Sequence, residues 1–139
     1  MDLLVDFVPS TFKKVFHFQP ISLPLLRFVF EQKKYRNELE NFNKKLWLPK
    51  VELLLATKIT ALKERDKGHK RVKDLCDIFA LLWYSDEKPH LYKEKIILFI
   101  SREDIRTSIE SIKEEDYKNA ATQLNHTLEE IKRVLELLV

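Results

Sequence analysis

Two apolar stripes at helical spacing, separated by the only glycine of the chain, constrain this sequence more than any other feature. Val51, Leu54, Leu55, Ile59 and Leu62 recur three and four residues apart, as one face of a helix does. Val72, Leu75, Cys76, Phe79, Leu82 and Trp83 repeat the pattern. The spacing predicts helices over 50–66 and 70–84, folded against each other as an antiparallel hairpin. Gly68 lies between them, and without a Cβ it suits a left-handed position just past a helix end.

The polar residues of this hairpin carry the only candidate chemistry. Lys58 stands seven residues before Arg65, two turns along one face, and Ala56, Ile59 and Leu62 put it at the edge of the apolar stripe. Asp74 and Asp77 are three apart and project from one side of the second helix. Closing the hairpin brings the two cations toward the two carboxylates, beside a basic turn with Lys67, His69, Lys70, Arg71 and Lys73. Such a group serves either as a ligand site or as a salt-bridge network that fixes the hairpin.

At 139 residues the chain predicts one domain, 1–139, with a β-rich element over 1–30 and a helical bundle over 31–139. The fold class is mostly α with a small N-terminal β element (α+β). An apolar content of 45% beside 34% charged residues places it with core-forming proteins and not with disordered tails. A net charge of +3 permits phosphate or nucleic-acid partners without demanding them. The single cysteine, Cys76, excludes an internal disulfide and reads as a small core residue. MDLLVDF carries no basic region of the kind that opens a signal peptide, and no apolar run is long enough to span a membrane. A cytoplasmic location follows as the expectation. Abundant Lys and Glu with few Gly and Cys fit a thermophile.

Along the chain, 2–8 alternates as a strand that ends at Pro9-Ser10, and 13–18 reads as a second strand. Pro20 and Pro24 mark turns, and 26–30 suits a strand or the start of a helix. Residues 31–45 favour helix by composition, with Tyr35, Leu39 and Phe42 as a thin stripe. Leu46-Trp47-Leu48 reads as a short strand, and Pro49 suits the approach to the first hairpin helix. Residues 90–100 favour helix, with a strand at 96–100 as the alternative. Ser101 and Asp104 form a capping pattern for a helix over 102–112. One unbroken helix is expected over 114–138, from Tyr117, Ala120, Ala121, Leu124, Leu128, Ile131, Leu135 and Leu138. His17, His69, His90 and His126 show no metal-binding spacing.

The run LLATKITALKER…KDLCDIFALL resembles the helical hairpin of the AbiEii/AbiGii-type nucleotidyltransferases, toxin components related to the DNA polymerase beta superfamily. Lys58 matches the family's lysine, Arg65 its arginine, Lys73-Asp74 its basic-acid pair and Asp77 its second acid. The resemblance covers residues 50–84. It implies a nucleotide pocket in which Lys58 and Arg65 meet phosphate or sugar, while Asp74 and Asp77 orient the nucleotide. It also implies a metal-binding carboxylate on a strand of the core sheet, for which Asp6 (or Asp2) is the candidate, with Mg²⁺ as the cofactor.

The chain departs from that family in lacking a Gly-Ser loop and an Asp-x-Asp strand. It therefore resembles only the C-terminal part of such an enzyme: a fragment, a split subunit or a remnant, inactive alone. Completed by its catalytic half, it would transfer a nucleotide from an NTP to a hydroxyl on RNA or protein. The alternative is a non-catalytic helical interaction module, binding RNA or protein in a toxin–antitoxin-like system through the basic turn 63–73. Unpaired strand edges predict a homodimer or a partner chain that covers 2–18.

Overall fold

The computed structural model describes residues 4–5, 7–16, 21–41, 44–65 and 67–139. The protein is mostly helical and forms two compact units, Met1–Lys50 and Val51–Val139.

In the first unit, β1 (Leu4–Val5) pairs in parallel with β2 (Ile21–Ser22). Asp2 and Asp6, the candidate metal-binding carboxylates, lie outside the described residues. The strand expected over 13–18 is instead a helix, α1 (Phe12–Phe16), as far as it is described. Its cause is the preceding turn: the Phe12 amide donates to the Pro9 carbonyl, and the Lys14 and Val15 amides both donate to that of Thr11. Pro24 opens a short 3-10 turn with its fixed φ, and α2 (Arg27–Glu31) follows.

Among the described residues, the helix expected over 31–45 does not form beyond Glu31, the last residue of α2. Antiparallel strands β3 (Arg36–Asn41) and β4 (Lys44–Pro49) stand there, in the register Arg36↔Pro49 to Asn41↔Lys44. Charged composition argued for helix, but Leu39 and Leu46 sit opposite each other across the hairpin. Asn37 and Asn41 weaken a helix in any case. The β element thus extends to residue 49, and the helical part begins at Val51. Arg36 is the buried centre of this unit. Its Nη1 donates to the carbonyls of Val29 and Phe30 at 2.9 and 3.1 Å, and its guanidinium lies 3.7 Å over the Trp47 ring.

The second unit is built on α3 (Val51–Glu64) and α4 (Gly68–Trp83), which pack together as the expected hairpin. Around them stand α5 (Pro89–Ile96), α6 (Arg102–Glu110), α7 (Glu114–Leu124) and α8 (Leu128–Glu136). Helix α3 contacts α4, α5 and α6, while α4 contacts α3, α7 and α8. Because α3 is covered on two sides, it buries Leu53 and Ala56 beside Leu55, Ile59 and Leu62. Phe79, Leu75, Ile78, Ile96, Ile105, Ile131 and Leu135 complete a core with almost no exposure. Cys76 is half-buried where α4 meets α7, its Sγ 3.8 Å from Gln123 Oε1.

Two sequence expectations change here. Gly68 has no positive φ and is the first residue of α4, so the turn before it needs no left-handed glycine. The helix expected over 114–138 breaks into α7 and α8. Asn125 takes the left-handed conformation at φ 55°, and Thr127 caps α8 by accepting from the Glu130 amide at 3.2 Å. Glu130 returns the bond by accepting from the Thr127 amide at 2.9 Å. The expectation of one helix rested on the apolar stripe alone, which runs through both helices, whereas Asn125 and Thr127-x-x-Glu130 mark the break locally. The helix expected over 102–112 is present as α6, with the Ser101 hydroxyl accepting from the Asp104 amide. No helix among the described residues is long and apolar enough to cross a membrane.

Candidate functional site

Asp74 faces α3 from a row of buried residues on α4, with Val72 and Leu75 beside it, and its side chain is only 4% exposed. A carboxylate at that depth needs charged partners to replace water. It has two. Lys58 Nζ donates to Oδ1 at 2.9 Å, and Arg65 Nε donates to Oδ2 at 3.1 Å. Lys58 Nζ also lies 2.6 Å from Asp77 Oδ2. The four residues singled out in the sequence therefore meet as one group, with Asp74 at its centre and Lys58 bridging both acids. Lys58, Arg65 and Asp77 remain part-exposed, at 29%, 38% and 38% of their side chains. Burial lowers the affinity of Lys58 for its proton, but hydrogen bonds and charge from Asp74 and Asp77 outweigh it, so the ammonium titrates above its ordinary value.

A groove of about 460 Å³ opens beside this group. It is lined by Leu54, Lys58, Asp77, Ala80, Leu81, Tyr84 and Ser85. The lining follows helical spacing: Leu54 is one turn before Lys58, Leu81 is one turn after Asp77, and Tyr84 is a further turn on. Leu54, which its spacing put in the buried stripe, and Leu81 are only part-buried here, and nothing in the sequence marked that opening. Tyr84 is 70% exposed, and its hydroxyl lies 3.5 Å from His126 Nε2. His126 in turn sits edge-on against Phe79 and Trp83 and reaches Glu130 through Nδ1.

The basic turn is divided. Lys67, His69, Lys70 and Lys73 are exposed, whereas Arg71 is tied down. Arg71 Nη2 donates to Asp116 Oδ2 at 2.7 Å and to the Ser111 carbonyl at 2.8 Å. This joint between α4 and the start of α7 spans 45 residues and left no local trace in the sequence. Asp116 also accepts from the Lys113 amide at 3.1 Å, as its place at a helix start suggested.

Among the described residues no cluster of three or more His, Cys, Asp or Glu is arranged to hold a metal ion. Asp74 and Asp77 are engaged by an ammonium and a guanidinium and do not offer Mg²⁺ a ligand set. Comparison with family models, characterised proteins and solved structures returned no match.

Proposed function

We propose that residues 51–139 form the nucleotide-contacting helical part of a nucleotidyltransferase-like protein. The observation that carries this is the convergence of Lys58, Arg65, Asp74 and Asp77 on one part-exposed site beside a groove. An ammonium has three donors. Asp74 and Asp77 take two of those of Lys58, which leaves one for a phosphate oxygen. Arg65 spends Nε on Asp74 and keeps its terminal nitrogens for a second oxygen. The carboxylates hold both side chains in place before a ligand arrives, and they favour the charged form of Lys58. Transfer from an NTP to a hydroxyl on RNA or protein would require Mg²⁺ and a Gly-Ser/Asp-x-Asp half that this chain lacks. Alone, it is expected to bind without catalysis.

Titration of nucleoside triphosphates into the intact chain by calorimetry tests this. Binding is expected, and Lys58→Ala should weaken it roughly 10- to 100-fold, the range of a charge-assisted hydrogen bond. No binding by the parent, together with a large loss of stability in Lys58→Ala, would mean that the four residues only fasten the hairpin.

The exposure of Lys67, His69, Lys70 and Lys73 favours a second reading, a non-catalytic RNA-binding module. Salt-sensitive RNA binding that survives Lys58→Ala and is lost when Lys67, Lys70 and Lys73 become Glu would select it.

A further inference from the structure

We infer that the groove between Lys58 and Tyr84 divides a nucleotide, seating the base on the Tyr84 ring and the first phosphates at Lys58. This rests on the nucleotide-contacting role proposed above and assigns Tyr84, which no resemblance singled out. The groove is chemically lopsided. One end holds the Lys58 ammonium and the Asp77 carboxylate, 2.6 Å apart. Its middle is Leu54, Ala80 and Leu81, which offer no side-chain donor to a phosphate. The other end is an exposed tyrosine beside Ser85, whose hydroxyl donates to the Leu81 carbonyl.

A phosphate set on the apolar middle would lose water without gaining hydrogen bonds. A flat, uncharged base loses little there and gains an aromatic face. Asp77 and Tyr84 are seven residues apart, about 10 Å along the helix. That reach is comparable to the one from a base to its own phosphates. Tyr84 also stands in a defined place: its amide donates to the Ala80 carbonyl at 3.0 Å, and its hydroxyl lies 3.5 Å from His126 Nε2. Asp77 spends Oδ2 on Lys58, which leaves its other oxygen for a ribose hydroxyl or an exocyclic amine.

The test compares ATP, adenosine and inorganic tripolyphosphate by calorimetry on the intact chain, Tyr84→Ala and Tyr84→Phe. Tyr84→Ala is expected to weaken ATP about 10-fold, within the range of base–aromatic stacking, and to leave tripolyphosphate unchanged. Adenosine should compete with ATP in the parent, and Tyr84→Phe should bind ATP nearly as the parent does. Because Tyr84 is 70% exposed, the thermal midpoint should not move in either variant. Equal ATP affinity in the parent and Tyr84→Ala overturns the inference and leaves the Lys58 site standing. Parent protein that binds neither ATP nor tripolyphosphate overturns both.

Discussion

Asp74 decides how much the hairpin can lose at a single residue. Its carboxylate is nearly buried and satisfied by Lys58 and Arg65. Asp74→Ala strands two cations, but both are part-exposed and recover some water. The expected cost is therefore about 2–3 kcal/mol, at or below the low end for breaking a buried pair. Urea denaturation checks this. The same ion pairs set an alkaline limb. The Lys58 ammonium titrates above 10.5 in the folded chain, so its stabilisation is complete below pH 10.5 and disappears as pH rises through the folded value. Tyr117 adds to this limb: burial, with Glu136, Glu114 and Asp116 behind it, pushes its hydroxyl up from 10.0 to about 12. Its contribution should fade between those values. Alkaline melts should lose part of their pH dependence in Tyr117→Phe, and another part in Lys58→Met. Gly68 points the other way. A Cβ there meets nothing within 4 Å, and its φ is not positive. Gly68→Ala is expected to stabilise the protein by about 0.5–1 kcal/mol, mainly by restricting the unfolded chain.

At the scale of elements, the joint between α7 and α8 shows where periodicity misleads. Apolar spacing continues across Asn125-His126-Thr127, because both helices turn their stripes to α4. The break is written in side chains that bond locally, not in the stripe. Thr127→Ala should cost about 1 kcal/mol and Asn125→Ala about 1–2 kcal/mol, read as lower midpoints with helical content otherwise kept. The β3–β4 hairpin is the opposite error. Composition over 31–45 suggested helix, and the Leu39–Leu46 pairing that decides for strands is visible only once a turn is placed between them. The α3–α4 hairpin was legible because stripe, charge spacing and connector length agreed. The convergence of Lys58, Arg65, Asp74 and Asp77 was legible for the same reason, since they lie at helical intervals on, or just past the end of, elements that must face each other.

For the whole molecule, the division at Lys50/Val51 has an energetic side. Nearly all fully buried apolar residues among those described belong to 51–139; in 1–50 Val29 is the apolar exception. Leu39, Leu46, Trp47 and Leu48 remain between 44% and 52% exposed. Residues 51–139 expressed alone are therefore expected to melt cooperatively, within a few degrees of the intact chain. A non-cooperative melt of that piece would show that the first fifty residues contribute to its core. Long-range joints such as Arg71–Asp116 were the part of the fold that sequence could not supply. Neither residue has a local pattern that names its partner across 45 positions.

Cys76 turns this architecture into a clock. It is the only thiol of the chain, it is half-buried beside Gln123 of α7, and burial followed by the charge of Asp77 raises its pKa. A raised pKa leaves less thiolate at neutral pH, so this part-exposed thiol is expected to react more slowly with a disulfide reagent than a free cysteine does. The ratio of labelling rates in the folded and the urea-unfolded protein therefore reports how far the α4–α7 surroundings of Cys76 hold the thiol back, without any probe being introduced.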